Sequence, residues 1–330
     1  MGILKRILSI LLRVSISVAL LIFLFAHVDK KSLFDIIKHA DKSLLFLAFF
    51  VFFFNYLFCL IRWIILLKAV DIHLPLTRVI ISFSGGVFFS LFLPSTIGGD
   101  LMRSIDLAAH TKKPREIVAT VLLDRLSGSV GLVILIFFSL AFGWRLVEDK
   151  SVLLSILVIV SSLTIILLIL FNNSIFSLIN RFLSASNPGK IRNAVRSLHG
   201  EMHLFRHKKA EVVKNLFVSL LVQANTPLTF YIIALSIGLK VSMIYFFIFV
   251  PIIGAITMLP ISIGGLGLRD ATTIYFFAKA GVSRDLSFAM SLLNFFFILV
   301  YGAIGGLIYV LTVRHRRIQH NTPPGVQPKP

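Results

Sequence analysis

Apolar runs long enough to cross a bilayer recur along the chain, separated by short polar or basic segments. Ile7 to Val28, Ser43 to Leu67, Glu116 to Gly143, Ser151 to Phe171, Val212 to Ser236 and Leu286 to Thr312 each reach the ~20 residues needed to span the hydrocarbon core. Six full transmembrane helices are predicted. Val79 to Leu93 is also apolar, but its 15 residues rise only about 22 Å against a core of roughly 30 Å. Pro94 to Gly99 then interrupts it, and Asp100 to His110 is too polar and too short to span alone. The pattern predicts a re-entrant hairpin with its tip buried in protein. Val241 to Leu259, the loop Pro260 to Gly267 and the short piece Leu268 to Ala280 predict a second hairpin. Asp29 to Lys42, with Leu33, Phe34, Ile36 and Ile37 at near-helical spacing, reads as an amphipathic helix in the headgroup layer.

The two interruptions are copies of one another. LPSTIGGDLMRS, Leu93 to Ser104, returns as LPISIGGLGLRD, Leu259 to Asp270. Pro94 aligns with Pro260, Gly98 and Gly99 with Gly264 and Gly265, and Arg103 with Arg269. Proline and paired glycines break a helix inside an apolar run. Two broken helices at corresponding positions of two halves point to a transport site at the repeat interface. The expected fold is therefore all-α: a polytopic integral membrane protein of about six transmembrane helices plus two re-entrant hairpins in an inverted repeat. Residues 1–143 form the first repeat and residues 144–312 the second, which carries a basic loop at 181–209. Residues 313–330 are expected to be a basic, disordered tail.

Composition agrees with this class. The 330 residues are 57% hydrophobic with a mean hydropathy of +0.95, far above the soluble norm. A formal charge of +19 suits nucleic acid in principle, but the basic residues punctuate the apolar runs. They read instead as cytoplasmic loops beside anionic lipid, with no nucleic-acid partner. Counting them, with Arg78 among the cytoplasmic loop charges, places both termini and the Arg181 to Lys209 loop in the cytoplasm and Trp144 to Lys150 outside, in a cytoplasmic (inner) membrane. The single cysteine, Cys59, forms no internal disulfide. His199, His203 and His207 share a helix face, but no cysteine or carboxylate completes a tetrahedral set, so no metal site is expected.

Charges inside the spans are candidate sites by default. Trp63 reads as an interface anchor, while Arg62 either snorkels to the phosphates or faces the interior. Asp124 and Arg125 lie well inside the third span. They neutralise one another, or lock this helix to the first hairpin, or meet substrate. Gly128, Gly131, Gly302, Gly305 and Gly306 offer close-packing faces, and Gln223 and Asn225 either pack or line a pathway.

The order of Arg62-Trp63, LPSTIGGDLMR, VLLDRLSG and LPISIGGLGLRD resembles the lysylphosphatidylglycerol synthase transmembrane-domain family, also called the flippase-like domain family. The likeness covers roughly residues 7 to 312. In bifunctional members this membrane domain resembles a lipid flippase joined to a soluble aminoacyl-transferase domain. No such domain follows Thr312 here, so synthase activity is not expected. The resemblance implies functional roles for Arg62, Pro94, Gly98, Gly99, Asp100, Arg103, Asp124, Arg125, Gly264, Gly265 and Arg269. It implies movement of an anionic membrane lipid, with no cofactor and no enzymatic step. Helix N-termini attract anions, and Arg103 and Arg269, about one turn into the short helices, are placed to hold a phosphate. Asp100 caps the first short helix whereas Leu266 is its counterpart, so the second is expected to be the more open acceptor. Three alternatives stand beside this reading. They are a non-catalytic partner of lipid or cell-envelope biosynthesis enzymes, a membrane-embedded transferase using Asp100, Asp106 and Asp124, and an ion-coupled solute transporter.

Overall fold

The fold is taken from a computed structural model that describes residues 15, 17–20, 22–24, 26, 29–93, 97–111, 113–144, 149–171, 200, 205, 208–258, 262 and 265–321. Among these there is no strand. The helices are α1 Lys30–Lys38, α2 Lys42–Ala69, α3 Leu76–Ser90, α4 Ile97–Ala108, α5 Pro114–Gly143, α6 Lys150–Phe171, α7 Lys209–Ser236, α8 Met243–Thr257, α9 Leu268–Ala278 and α10 Arg284–Asn321. Five of them, α2, α5, α6, α7 and α10, are long and apolar enough to cross a membrane, while α3 and α8 are shorter apolar helices. The expected first span, Ile7 to Val28, lies largely outside the described residues. Its described positions between 15 and 26 are helical.

Local chemistry sets the boundaries. Asp29 accepts from Lys31 N and Asp41 from Ser43 N and Leu44 N, capping α1 and α2. Pro114 opens α5, where a missing N–H costs nothing. α1 buries Leu33 beside Phe288 and Ala289 of α10 and exposes Phe34, as an amphipathic helix should.

Apolar burial drives little association in lipid, so packing and interhelical hydrogen bonds hold the bundle. α2 lies along α7; α3 packs on α4 and α10; α8 packs on α9 and α5. The α2–α7–α5 contact is laced by amides. Asn55 donates to Thr226 Oγ1 at 2.7 Å, Asn215 to Arg62 O at 3.1 Å, Gln223 to Gly128 O at 2.9 Å and Asn225 to Val51 O at 3.0 Å. The last two answer an open question: these amides serve packing. At the far end of α9, Lys279 Nζ meets Asp149 Oδ2 at 2.6 Å, and this contact holds the Asp149 carboxyl well below the usual carboxylate range.

Glycines govern two seams. In the α3–α10 seam, a Cβ at Gly302 or Gly306 would strike the side chains of Leu91 or Phe88, and one at Gly85 would strike Tyr309. The α3–α4 hairpin is tighter, because a Cβ at Gly99 would lie 2.3 Å from the Gly86 carbonyl oxygen. A backbone atom cannot rotate away, so Gly99→Ala should destabilise by about 1–3 kcal/mol, as overpacking does. Gly254→Ala in α8 meets nothing within 4 Å and should be neutral or better. Thermal melts of the two variants in one detergent compare them.

Three expectations are corrected. Trp63 is no interface anchor: it is fully buried, and its indole N–H donates to Thr120 Oγ1 at 3.1 Å. Arg78, counted as a loop charge, is buried in α3 and meets Asp106 Oδ2 at 2.7 Å. Of the expected disordered tail, residues 313–321 are helical, since Pro323 is the first residue past Thr312 that cannot continue a helix. Residues 322–330 lie outside the described set, as do most of 181–209 and all three histidines of the stripe.

Candidate functional site

Five charged side chains from three elements converge. Arg62 of α2 reaches Asp124 Oδ1 of α5 at 2.5 Å. Arg103 of α4 reaches Asp124 Oδ2 at 2.8 Å and Asp100 Oδ1 at 2.9 Å. Asp100 in turn pairs with Arg125 of α5. The result is an alternating chain, Arg62, Asp124, Arg103, Asp100, Arg125, with Asp124 only 2% exposed. Arg62 Nη1 also donates to Ser219 Oγ of α7 at 3.3 Å. The Arg103 guanidinium stands 4.7 Å from the centre of the Trp63 ring, within cation–π range.

Helix geometry explains the pairing. Neighbours on a helix project about 100° apart at 3.6 residues per turn. Asp124 and Arg125 therefore do not neutralise one another: Asp124 faces α2 and α4, and Arg125 takes Asp100. Arg62 faces the interior rather than the phosphates.

All five charges line one cavity of about 250 Å³, with Gly99, Asn55, Tyr56 and Ser90 on its walls. Three arginines against two aspartates leave it with one net positive charge. The Nε–H of Arg103 is buried out of reach of solvent and has no hydrogen-bond partner.

The second half is built differently. Arg269, the second residue of α9, meets Asp270 Oδ1 at 3.0 Å and donates through Nε to Ser291 Oγ at 3.1 Å. Asp270, with no exposed surface, also accepts from Ser291 Oγ at 2.5 Å and from Gly267 N at 3.0 Å. The start of α9 is thus closed by its own acid, which overturns the expectation of a more open second acceptor. Arg269 sits in the first turn, not a full turn in. Gly265 and Gly267 adopt φ of 77° and 75° and delay α9 to Leu268, whereas Gly98 and Gly99 lie within α4. The aligned glycines therefore do different jobs: Gly99 admits the backbone of α3, and Gly265 turns the chain. Gly98 packs against Leu93. Pro94 and Gly264 lie outside the described residues.

Asp106 joins neither cluster, since Arg78 and Ser82 hold it in the last turn of α4. Among the described residues no three His, Cys, Asp or Glu side chains are placed to hold a metal. Ser219 and Asn215 of α7 were missed in the sequence. Asn215, Ser219 and Gln223 at i, i+4 and i+8 are a polar stripe on an apolar helix, and that is the signal that finds them.

Fold and site together define a polytopic helical membrane protein whose interior holds a charged, net-positive cavity. The chain belongs to the family described as the lysylphosphatidylglycerol synthase TM region, which matches residues 10–306. It is similar to a UPF0104 membrane protein of Pyrococcus horikoshii, 23% identical over 313 residues that cover 86% of this chain and 91% of that one. A UPF0104 membrane protein of Methanothermobacter thermautotrophicus is 24% identical over 285 residues, covering 79% of this chain and 82% of that one.

Proposed function

We propose that the protein moves an anionic phospholipid or lipid-linked headgroup across the cytoplasmic membrane, as a flippase-like transporter that makes and breaks no covalent bond. The observation that carries this reading is the cavity lined by three arginines and two aspartates. An unbalanced cation inside a membrane protein is costly unless something pairs with it. At 4 Å and an effective dielectric of 20 the attraction for a monoanion is about 4 kcal/mol, roughly a thousandfold in binding. A lipid phosphate has that charge and the acceptor oxygens that a guanidinium fork takes.

The architecture that suits this function is an inverted repeat of residues 1–143 and 144–312, with α3–α4 and α8–α9 as re-entrant hairpins. Matched contacts support it: α3 packs on α4 and α10 as α8 packs on α9 and α5, and α2 lies against its counterpart α7. Both termini and the 181–209 loop then face the cytoplasm. In a variant lacking Cys59, single cysteines in that loop should stay unlabelled by an impermeant maleimide outside, while Trp144→Cys reacts. External labelling of the loop rejects the topology.

The function itself is tested in liposomes. The purified protein should carry fluorescent phosphatidylglycerol between leaflets at least tenfold faster than phosphatidylcholine. A chemically altered headgroup would identify a transferase. Neither movement nor product would leave a partner of lipid or cell-envelope biosynthesis enzymes.

A further inference from the structure

A second cavity, of about 290 Å³, lies between α2, α3 and α10, lined by Leu57, Leu60, Ile80, Ile304, Gly305 and Ile308. Tyr56, Phe83 and Val87 belong to its wall and to the wall of the charged cavity. The two spaces adjoin through these shared side chains, one space apolar and the other carrying net positive charge. We propose, resting on the lipid-transport reading above, that the apolar cavity receives one hydrocarbon chain of the lipid whose anionic headgroup occupies the charged cavity.

Size and chemistry support this occupant. A dry apolar cavity of about 150 Å³ accommodates benzene, so this one takes a single chain segment on the order of ten carbons. A second whole chain does not fit and stays in the bilayer. The lining is aliphatic and aromatic, and its polar side-chain atoms are the hydroxyls of Ser84, Tyr56 and Tyr301, the last donating to Phe49 O at 2.9 Å. No charged side chain lines it, so nothing there would pair with a lipid phosphate. Gly305 is required for the α3–α10 crossing, since a Cβ there would lie 2.9 Å from the Ser84 carbonyl oxygen, and its bare backbone widens the cavity. Tyr56 stands at the boundary with an apolar ring and a polar hydroxyl, the side-chain type that suits a headgroup–chain junction. A lipid held this way spans both cavities with its phosphate toward Arg103.

Photo-crosslinking on the parent protein tests the proposal. Liposomes are prepared with phosphatidylglycerol or phosphatidylcholine carrying a diazirine midway along the same acyl chain, and adducts are mapped by mass spectrometry. Adducts on Leu57, Leu60, Ile304 or Ile308 are expected, at least fivefold more abundant with phosphatidylglycerol. Arg103→Gln should reduce that preference to near unity, and Leu57→Trp, which fills the cavity, should remove the adducts. Outward-facing Phe46 and Phe50 should label equally with both lipids. Equal yields within the cavity would mean that it samples bulk lipid, and adducts confined to outward residues, or cavity residues joined to a second copy, would leave no chain there. Any of these overturns the proposal. The outcome is independent of the transport assay: headgroup-dependent adducts without lipid movement keep the chain site and reject the transporter, and movement without them does the reverse.

Discussion

Asp124→Asn is expected to destabilise the folded protein by about 3–5 kcal/mol, the cost of stranding buried charge. Asp124 is the shared counter-ion of Arg62 and Arg103, and all three side chains are buried. An asparagine keeps the shape and one acceptor but leaves Arg62 without an acid and Arg103 sharing Asp100 with Arg125. Chemical unfolding in detergent, followed through Trp63, which stacks on Arg103, measures the loss. Arg62→Gln added to Asp124→Asn should return part of it, because the double variant strands one charge fewer. Strict additivity would show that the pair shares no network. Arg125, whose side chain is 37% exposed, should cost less when replaced.

The largest functional effect is expected at Arg103. Arg103→Gln should slow lipid movement at least tenfold in liposomes while leaving stability closer to the parent than Asp124→Asn does. The alternating chain explains why: without Arg103, Asp124 keeps Arg62 and Asp100 keeps Arg125. No acid is orphaned, yet the cavity loses its net charge. Arg103→Lys should restore only part of the rate, since an ammonium keeps the charge and loses the planar fork. Arg269→Gln should behave oppositely. It leaves Asp270, fully buried, without its cation, so its main effect is on folding, with near-parental movement per folded molecule. An Arg103→Gln protein that folds and moves lipid at the parental rate removes the charged cavity from the mechanism.

Helix positions were legible in the sequence because lipid imposes a length on every span and leaves few other solutions. Both short hairpin helices and the glycine face of α10 are also visible as spacing, whereas the polar stripe on α7 was not read. Pair assignments were not. Asp124 and Arg125 are adjacent in sequence and point to different partners, and Asp100 and Arg103 find those partners only once α4 crosses α5. Trp63 sits two turns from the end of α2, a position that suits an interface anchor, and only Thr120 on another helix turns it inward. The two glycine pairs look alike as letters. One accommodates a carbonyl and the other a positive φ, and backbone geometry alone separates them.

The hairpin of α3 and α4 meets through backbone, Gly99 on Gly86, and α3 meets α10 through backbone as well, Gly305 on Ser84, with Leu91 and Phe88 seated on Gly302 and Gly306. Backbone contacts have no rotamers, so neither joint yields by repacking side chains. On the transport reading proposed above, α3, α4 and α10 would act as one rigid body. Opening the charged cavity toward either side of the membrane would then be a sliding of that body past α2 and α5, a shear rather than a hinge.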